Sequence, residues 1–321
     1  MNVLFEIENK FKKISKKLNN KWFIFTILLL ITAISSVILF DSGILRGHDI
    51  EYHLSRIKGI KEGIQVGKFL ALIHDGFNWY GYPNGLFYSN LFLYFPAILN
   101  LIGINIINSY KIFLIVCTFF TSFSMYYCVK KISKSSGKAL LSSLIYTTSS
   151  YRICDVFVRA AVGEILTFIF IPMVILGLYE IIKGNYKNYF IFALSFVALI
   201  NCHMISTIFM FIVALVVILL NYKDILGDMK RLKALVLSVV LGIGVGAFFI
   251  FPFLEQYLTA ELVINSGQGT ISTVMPFQRI FFGIPNYTTR FIPGGIGLIY
   301  FLVLYLRMKL KTKNNIIKFS D

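Results

Sequence analysis

The chain has 321 residues, 57% hydrophobic and 14% charged, with 31 lysines and arginines against 15 acids for a net charge of +16. A mean hydropathy of +0.76, carried by repeated apolar runs, excludes an ordinary soluble domain, because a bilayer core takes roughly 20 apolar residues per helical crossing. The basic excess does not call for a nucleic-acid partner; in a membrane chain it reflects cytoplasmic lysines facing anionic lipid.

A basic arm over 1–21 precedes the first apolar run, "WFIFTILLLITAISSVILF" (22–40). That run is too long for the apolar part of a signal peptide and no small-x-small site follows it, so a retained anchor is expected. Next comes "GHDIEYHLSRI" (47–57), which packs His48, Asp49, Glu51, His53 and Arg56 into one short stretch. If 49–64 is helical, Ile50, Leu54, Ile57 and Ile64 form the apolar stripe of an interfacial helix. Asp49, His53 and Arg56 then share a neighbouring face, while Glu51 lies about 200° around from Asp49. The two acids can act together only from the turn before the helix.

"FNWYGYPNGLFYSN" (77–90) follows, with Trp79, Tyr80, Tyr82, Phe87 and Tyr88. Such aromatics stack on sugar rings or mark a membrane interface. The run 86–104 is a weak span, interrupted by Asn90, Pro96 and Asn100. The clearest further runs are 164–182, 204–222 and 234–254, with shorter candidates at 111–129, 139–150, 189–202 and 293–306. The expected fold is all-α: a polytopic bundle of about nine spanning helices over 22–308, with a basic tail at 309–321. Barrel strands would alternate in polarity every second residue, and these runs do not. Cys117, Cys128, Cys154 and Cys202 show neither paired nor metal-binding spacing and read as small packing residues.

Cationic loops stay cytoplasmic. The arm and the stretches 130–138, 183–187, 223–233 and 307–318 hold most of the lysine and arginine. Placing them inside puts 41–85, 149–164, 201–203 and 255–292 outside, where basic and acidic residues balance. The chemically capable side chains then gather on the outer face of the plasma membrane. They are the 47–57 cluster; Arg152, Asp155, Arg159 and Glu164; His203; and Glu255 with Glu261. Ionisable groups near membrane depth are costly, which favours a site over chance.

Two neighbouring carboxylates do acid–base work or hold a divalent cation such as Mg or Mn. The spacing of His53 from His48 fits no zinc pattern, so a charged or hydrogen-bonded helix histidine is expected. Arginines outside defy the basic bias. Arg152 and Arg159 either fork onto phosphate or pair with Asp155 and Glu164.

"GHDIEYHLSRIKGIKEGI", "GFNWYGYPNGLFYSNLFLYFPAIL", "SYRICDVFVRAAVGEILTFIFIPMVILGLYEI" and "NCHMISTIFM", taken in order, resemble the GT-C superfamily of membrane glycosyltransferases. More narrowly they resemble bacterial YfhO-like proteins, including those labelled 6-pyruvoyl-tetrahydropterin synthase-related. That label implies no pterin chemistry here. The resemblance implies a polyprenyl-phosphate sugar donor and an acceptor glycan, lipid or protein at the outer face. It implies Asp49 as general base, with Glu51 orienting it or joining a metal site. Arg152, Arg159 and His203 would contact the donor phosphate, with His53, Arg56, Asp155 and Glu164 beside them in substrate binding. Members usually continue through further helices, so a minimal, truncated or inactive member is the expectation for this length. The competing classes are a non-catalytic scaffold and a transporter. A transporter would need mid-span charges and repeated halves, neither of which is visible.

Overall fold

The structure is a computed structural model that describes Leu18 and residues 20–41, 47–68, 81 and 84–259. The basic arm up to residue 17, Trp79, Tyr80, Tyr82, Glu261, the loop beyond 259, the run 293–306 and the tail lie outside the described residues.

All regular structure among the described residues is helical. Helix α1 (Lys21–Ser35) starts at Asn20, whose side chain accepts the backbone N–H groups of Trp22 and Phe23. It continues into a 3₁₀ turn, Val37–Phe40. Together they reach roughly 30 Å. Helix α2 (Ile50–Gln65) follows the first loop. The weak run then breaks into a one-turn helix (Asn84–Phe87), a 3₁₀ turn (Leu91–Leu93) and the eight-residue α3 (Tyr94–Leu101). At roughly 12 Å, α3 is too short to cross a bilayer. Among the described residues between the first loop and the lysines at 130–134, the helix of spanning length is α4 (Ile106–Ser133).

Lys134, in the left-handed region at φ 57°, turns α4 into α5 (Ser136–Thr147). Short α6 (Ser150–Cys154) runs into a π-helical turn, Asp155–Arg159. Then come α7 (Val162–Ile182), α8 (Tyr189–Ile200), α9 (Met204–Leu220), short α10 (Tyr222–Leu226) and α11 (Met229–Thr259). Three described helices, α4, α7 and α11, are long and apolar enough to cross a membrane. Helices α1 and α9, and the apolar helical stretches Leu91–Leu101 and Tyr186–Ile200, are shorter. The count of nine spans is thus not reached among the described residues, where several apolar helices stop short of spanning length.

The apolar stripe of α2 faces protein instead of lipid. Ile57 and Ile60 are fully buried with Leu93 and Ala97 of the α3 region, Phe113 and Leu114 of α4, and Ile165 of α7. Helices α7 and α8 cross at Gly177, where a Cβ would lie 2.5 Å from Phe192 Cα. Small residues permit such close crossings where water supplies no driving force. Helix α1 packs on α4 and α5 through Leu28, Ile31, Tyr126 and Ala139.

The ends of the bundle differ. Where α7 finishes and α11 starts, Arg231 Nη1 donates to the Ile181 carbonyl at 2.7 Å and Lys183 pairs with Asp224 at 2.5 Å. The other end, where α7 and α9 begin and α8 stops, lies about 30 Å away along α7. All four cysteines are free, three of them buried.

Candidate functional site

Two main-chain bonds seat the first loop. His48 N–H donates to the Val158 carbonyl and Asp49 N–H to the Arg159 carbonyl, both at 3.1 Å. Residue 47 comes so close that a Cβ on Gly47 would lie 2.8 Å from Ala160 Cβ. Ala160 itself sits at φ 54°, a left-handed conformation costly for a residue with a Cβ. It ends the π turn and lets α7 start in a new direction.

Asp49 occupies the N-cap position of α2, yet its side chain makes no capping bond. Its exposed carboxylate is left for the cleft. Glu51 is already in the first helical turn and exposed.

Asp49, Tyr52, His53, Tyr88, Arg159, Ala161, Gly163, Glu164 and His203 line one cleft of about 330 Å³. Three segments far apart in sequence meet there: the first loop with α2, the turn before α7, and the turn before α9. Glu51, Arg56, Arg152, Asp155 and Glu255 are not among its lining residues.

Arg56 is buried directly behind. Its Nε and Nη2 donate to Asn90 Oδ1 at 3.0 and 2.8 Å, and Nη2 also donates to the Ser89 carbonyl at 2.8 Å. Its guanidinium lies 4.2 Å from the Tyr88 ring centre. Ser89 Oγ in turn donates to Asn201 Oδ1 at 2.7 Å, which ties the 88–90 segment to the α8–α9 turn. Burial, opposed by the tyrosines, pulls the guanidinium pKa below its usual value. The Tyr88 phenol is pushed up to about 12 by burial.

Arg152 is fully buried away from the cleft. It donates to the Thr147 carbonyl at 3.1 Å and to Thr118 Oγ1 at 2.6 Å. Asp155 is fully buried too, with Oδ1 2.6 Å from Arg159 Nη1. Desolvation first, and the neighbouring Glu164 second, raise its carboxyl to about 7 against the pull of Arg159. Arg159 Nη2 meets Glu164 Oε1 at 2.5 Å, and Nη1 also donates to Tyr151 Oη at 3.3 Å. Glu164 Oε2 accepts from Tyr151 Oη. These contacts use three of the five guanidinium N–H groups, so two stay available on a side chain that is 38% exposed.

His53 is 2% exposed, and burial followed by the charge of Arg56 lowers its pKa to about 3. It is therefore a hydrogen-bonded neutral ring at ordinary pH. His203 is lowered by burial, with Glu164 working in the opposite direction. Among the described residues no three His, Cys, Asp or Glu side chains gather as a metal site. Asp49 lies at the N-cap of α2 and Glu51 in its first turn, and each imidazole engages its Nδ1 within the protein.

Sequence reasoning missed Tyr52, Ala161 and Gly163 as cleft residues, and singled out Tyr88 only within an aromatic stretch. A Cβ on Gly163 would collide with Tyr88 Oη and lie 2.7 Å from the Cys202 carbonyl. The one available signal was a glycine just inside a long apolar helix, where its cost suggests close packing.

The described residues are helical, include helices of spanning length and form a polar cleft at a bundle end, as a membrane protein with a ligand-sized site would. The chain belongs to the family described as "6-pyruvoyl-tetrahydropterin synthase related domain; membrane protein", matched over residues 86–318. That stretch contains Tyr88, Arg159, Gly163, Glu164 and His203. The chain is also similar to an uncharacterized protein of Lactococcus lactis subsp. cremoris (strain MG1363), 25% identical over 253 residues. The match covers 75% of this chain and 40% of the relative, so the chain spans about two fifths of that protein's length. No solved structure matches.

Proposed function

We propose that the protein is a GT-C-type membrane glycosyltransferase, moving a sugar from a polyprenyl-phosphate donor to a hydroxyl acceptor at the outer face of the plasma membrane. The supporting observation is the convergence of Asp49, Arg159, Glu164 and His203 on one cleft, at the bundle end opposite the basic turns. By the positive-inside rule that end is the outer one.

In this reading the acceptor hydroxyl attacks the anomeric carbon while Asp49 takes its proton. A new carbon–oxygen bond forms as the bond to the lipid phosphate breaks, and the phosphate leaves with the electron pair. The two spare N–H groups of Arg159 face the charge that develops there. Tyr151, Asp155 and Glu164 hold the fork in place. Arg152 and Arg56 act from behind, through packing and the 88–90 segment.

The test is transfer from a panel of labelled polyprenyl-phosphate sugars to acceptors by the purified protein in liposomes. Asp49→Asn removes the base without changing shape. Turnover should fall about 10²–10⁴-fold. Unchanged turnover in a folded variant rejects the assignment.

A second reading, a non-catalytic membrane scaffold, is favoured by one observation. Arg159 is held between two carboxylates of its own neighbourhood, as a purely structural ion-pair network would be. It predicts that no donor in the panel is consumed.

A further inference from the structure

A hydroxyl that gives up its proton to a base can be held in place by a hydrogen bond donated to one of its two lone pairs, leaving the other free to attack. The cleft supplies the base in Asp49. The donor follows from what lies behind the two histidines.

His53 stands one turn along α2 from Asp49, and its main-chain N–H donates to the Asp49 carbonyl at 3.1 Å. Its Nδ1 is 3.3 Å from Arg56 Nη1. A guanidinium has only protons to offer. Nδ1 must therefore bring the lone pair, which places the ring proton on Nε2. Arg56 is itself pinned by Asn90 and Ser89, so the tautomer is fixed by packing.

His203 repeats the arrangement from a different element. It caps α9, with the Ser206 main-chain N–H 3.4 Å from Nδ1 and Ser206 Oγ 2.8 Å away. A backbone amide also has only a proton to give, so this ring too carries its hydrogen on Nε2. Both rings line the cleft. With each Nδ1 turned to the protein, the Nε2 edges are the ones left for a ligand.

We propose that His53 and His203 are neutral Nε2–H donors set beside Asp49 and Glu164 to bind a polyhydroxylated ligand, with His53 holding the oxygen that Asp49 deprotonates. The deprotonation rests on the glycosyltransferase reading; the donor assignment does not. Each sugar hydroxyl gives one hydrogen bond and accepts others. A cleft that sets two carboxylate acceptors beside two imidazole donors suits a run of them. Burial and the fixed charge of Arg56 keep His53 neutral, so the ring does not compete with Asp49 for the proton. With Nδ1 engaged and Nε2 protonated, neither ring is free to ligate a metal.

The test uses the full chain in nanodiscs, labelled with ¹⁵N-histidine. Long-range proton–nitrogen correlation spectra would be assigned by the signals lost in His53→Gln and His203→Gln. At neutral pH each ring should show one protonated Nε2 and one lone-pair Nδ1, without the averaged shifts of a freely exchanging ring. His53 should keep that pattern at about pH 5.5, where an unperturbed imidazole is mostly cationic. An Nδ1–H tautomer or an imidazolium at His53 would overturn the proposal.

Titration with methyl α-glucoside should then move the Nε2 signals and leave the Nδ1 signals in place. Immobile Nε2 signals reject the ligand class. In the transfer assay, His53→Phe keeps a ring but loses the hydrogen bond that positions the hydroxyl, and kcat should fall about 10²-fold with little change in KM. His53→Gln, which retains an N–H near the Nε2 position, should recover part of that loss; equal loss in both rejects the donor role. A parent protein that transfers no sugar sinks the enzyme reading alone, and the ring spectra and titration still decide the donor pair.

Discussion

Arg56 Nη1 lies 3.3 Å from His53 Nδ1, so a permanent cation sits directly behind an imidazole that stays neutral beside it. Burial is the larger cause and the arginine the smaller one, and both act in the same direction. Proton uptake by this ring is coupled to unfolding.

That coupling sets a sign for stability against pH. His53 is depressed to about 3, so its contribution is complete above the ordinary histidine range and is lost as pH falls from about 6.5 toward 3. Asp155 works the other way. Raised to about 7, it contributes fully below the ordinary carboxylate range, and this is lost as pH rises from about 4 to 7. Thermal unfolding of the detergent-solubilised protein across that range should show Asp155→Asn gaining on the parent as pH rises. A parent and variant that run parallel would place Asp155 in a more solvated setting than its burial implies.

Glu51 is expected to be dispensable. It is exposed in the first turn of α2 and lines no part of the cleft. Glu51→Gln should transfer sugar within about 2-fold of the parent, against the loss of about 10²–10⁴-fold at Asp49→Asn. Chelation should leave the parent rate unchanged. Equal loss at both acids, restored by Mg or Mn, would instead mean that they share a cation.

Gly163 and Gly244 make a matched pair. A Cβ at Gly163 runs into Tyr88 Oη and the Cys202 carbonyl, whereas at Gly244 nothing lies within 4 Å. Gly163→Ala should cost about 1–3 kcal/mol through overpacking and displace Tyr88 from the cleft wall. Gly244→Ala, inside α11, should be neutral or gain up to about 1 kcal/mol in helix propensity. Urea or heat titration of the two variants side by side checks the contrast.

Orientation is open to direct labelling. His48, Lys131 and Lys187 are all exposed, the first at the cleft end and the other two at the basic end. In intact cells, cysteine at position 48 should react with an impermeant thiol reagent, and cysteines at 131 and 187 only after permeabilisation. The native cysteines, three of them buried, set a low background. Reaction at 187 from outside would invert the bundle.

What the sequence carried plainly was the contrast between ionisable groups and an apolar background. Asp49, Arg159, Glu164 and His203 stand out one segment at a time, and the lysine-rich turns mark the opposite bundle end. Helical phase alone did not decide whether Glu51 acts with Asp49, because the answer depends on where α2 begins. The split between Arg152, buried on Thr118, and Arg159, open to the cleft, was not legible. It depends on the π-helical turn at Asp155–Arg159, and periodicity built on 3.6 residues per turn does not foresee one. The meeting of Tyr88 with Gly163 joins segments far apart in the chain. Only packing decides which aromatic of the 77–90 stretch lands there. The run 86–104, already read as the weak span, is broken at Asn90, whose side-chain Oδ1 meets Arg56.

The main-chain seating of the first loop has a further consequence. Asp49 is aligned by the carbonyls of Val158 and Arg159, so its position depends on chain register more than on neighbouring side chains. A π turn amounts to one residue inserted into a helix. Removing a single residue between 155 and 159 would let the turn relax to ordinary helix, swinging the following carbonyls by about 100°. Substitutions there can be absorbed one side chain at a time, while a one-codon deletion would unseat the carboxylate from its cleft. Divergence along this segment should therefore run through changes of residue type at constant length.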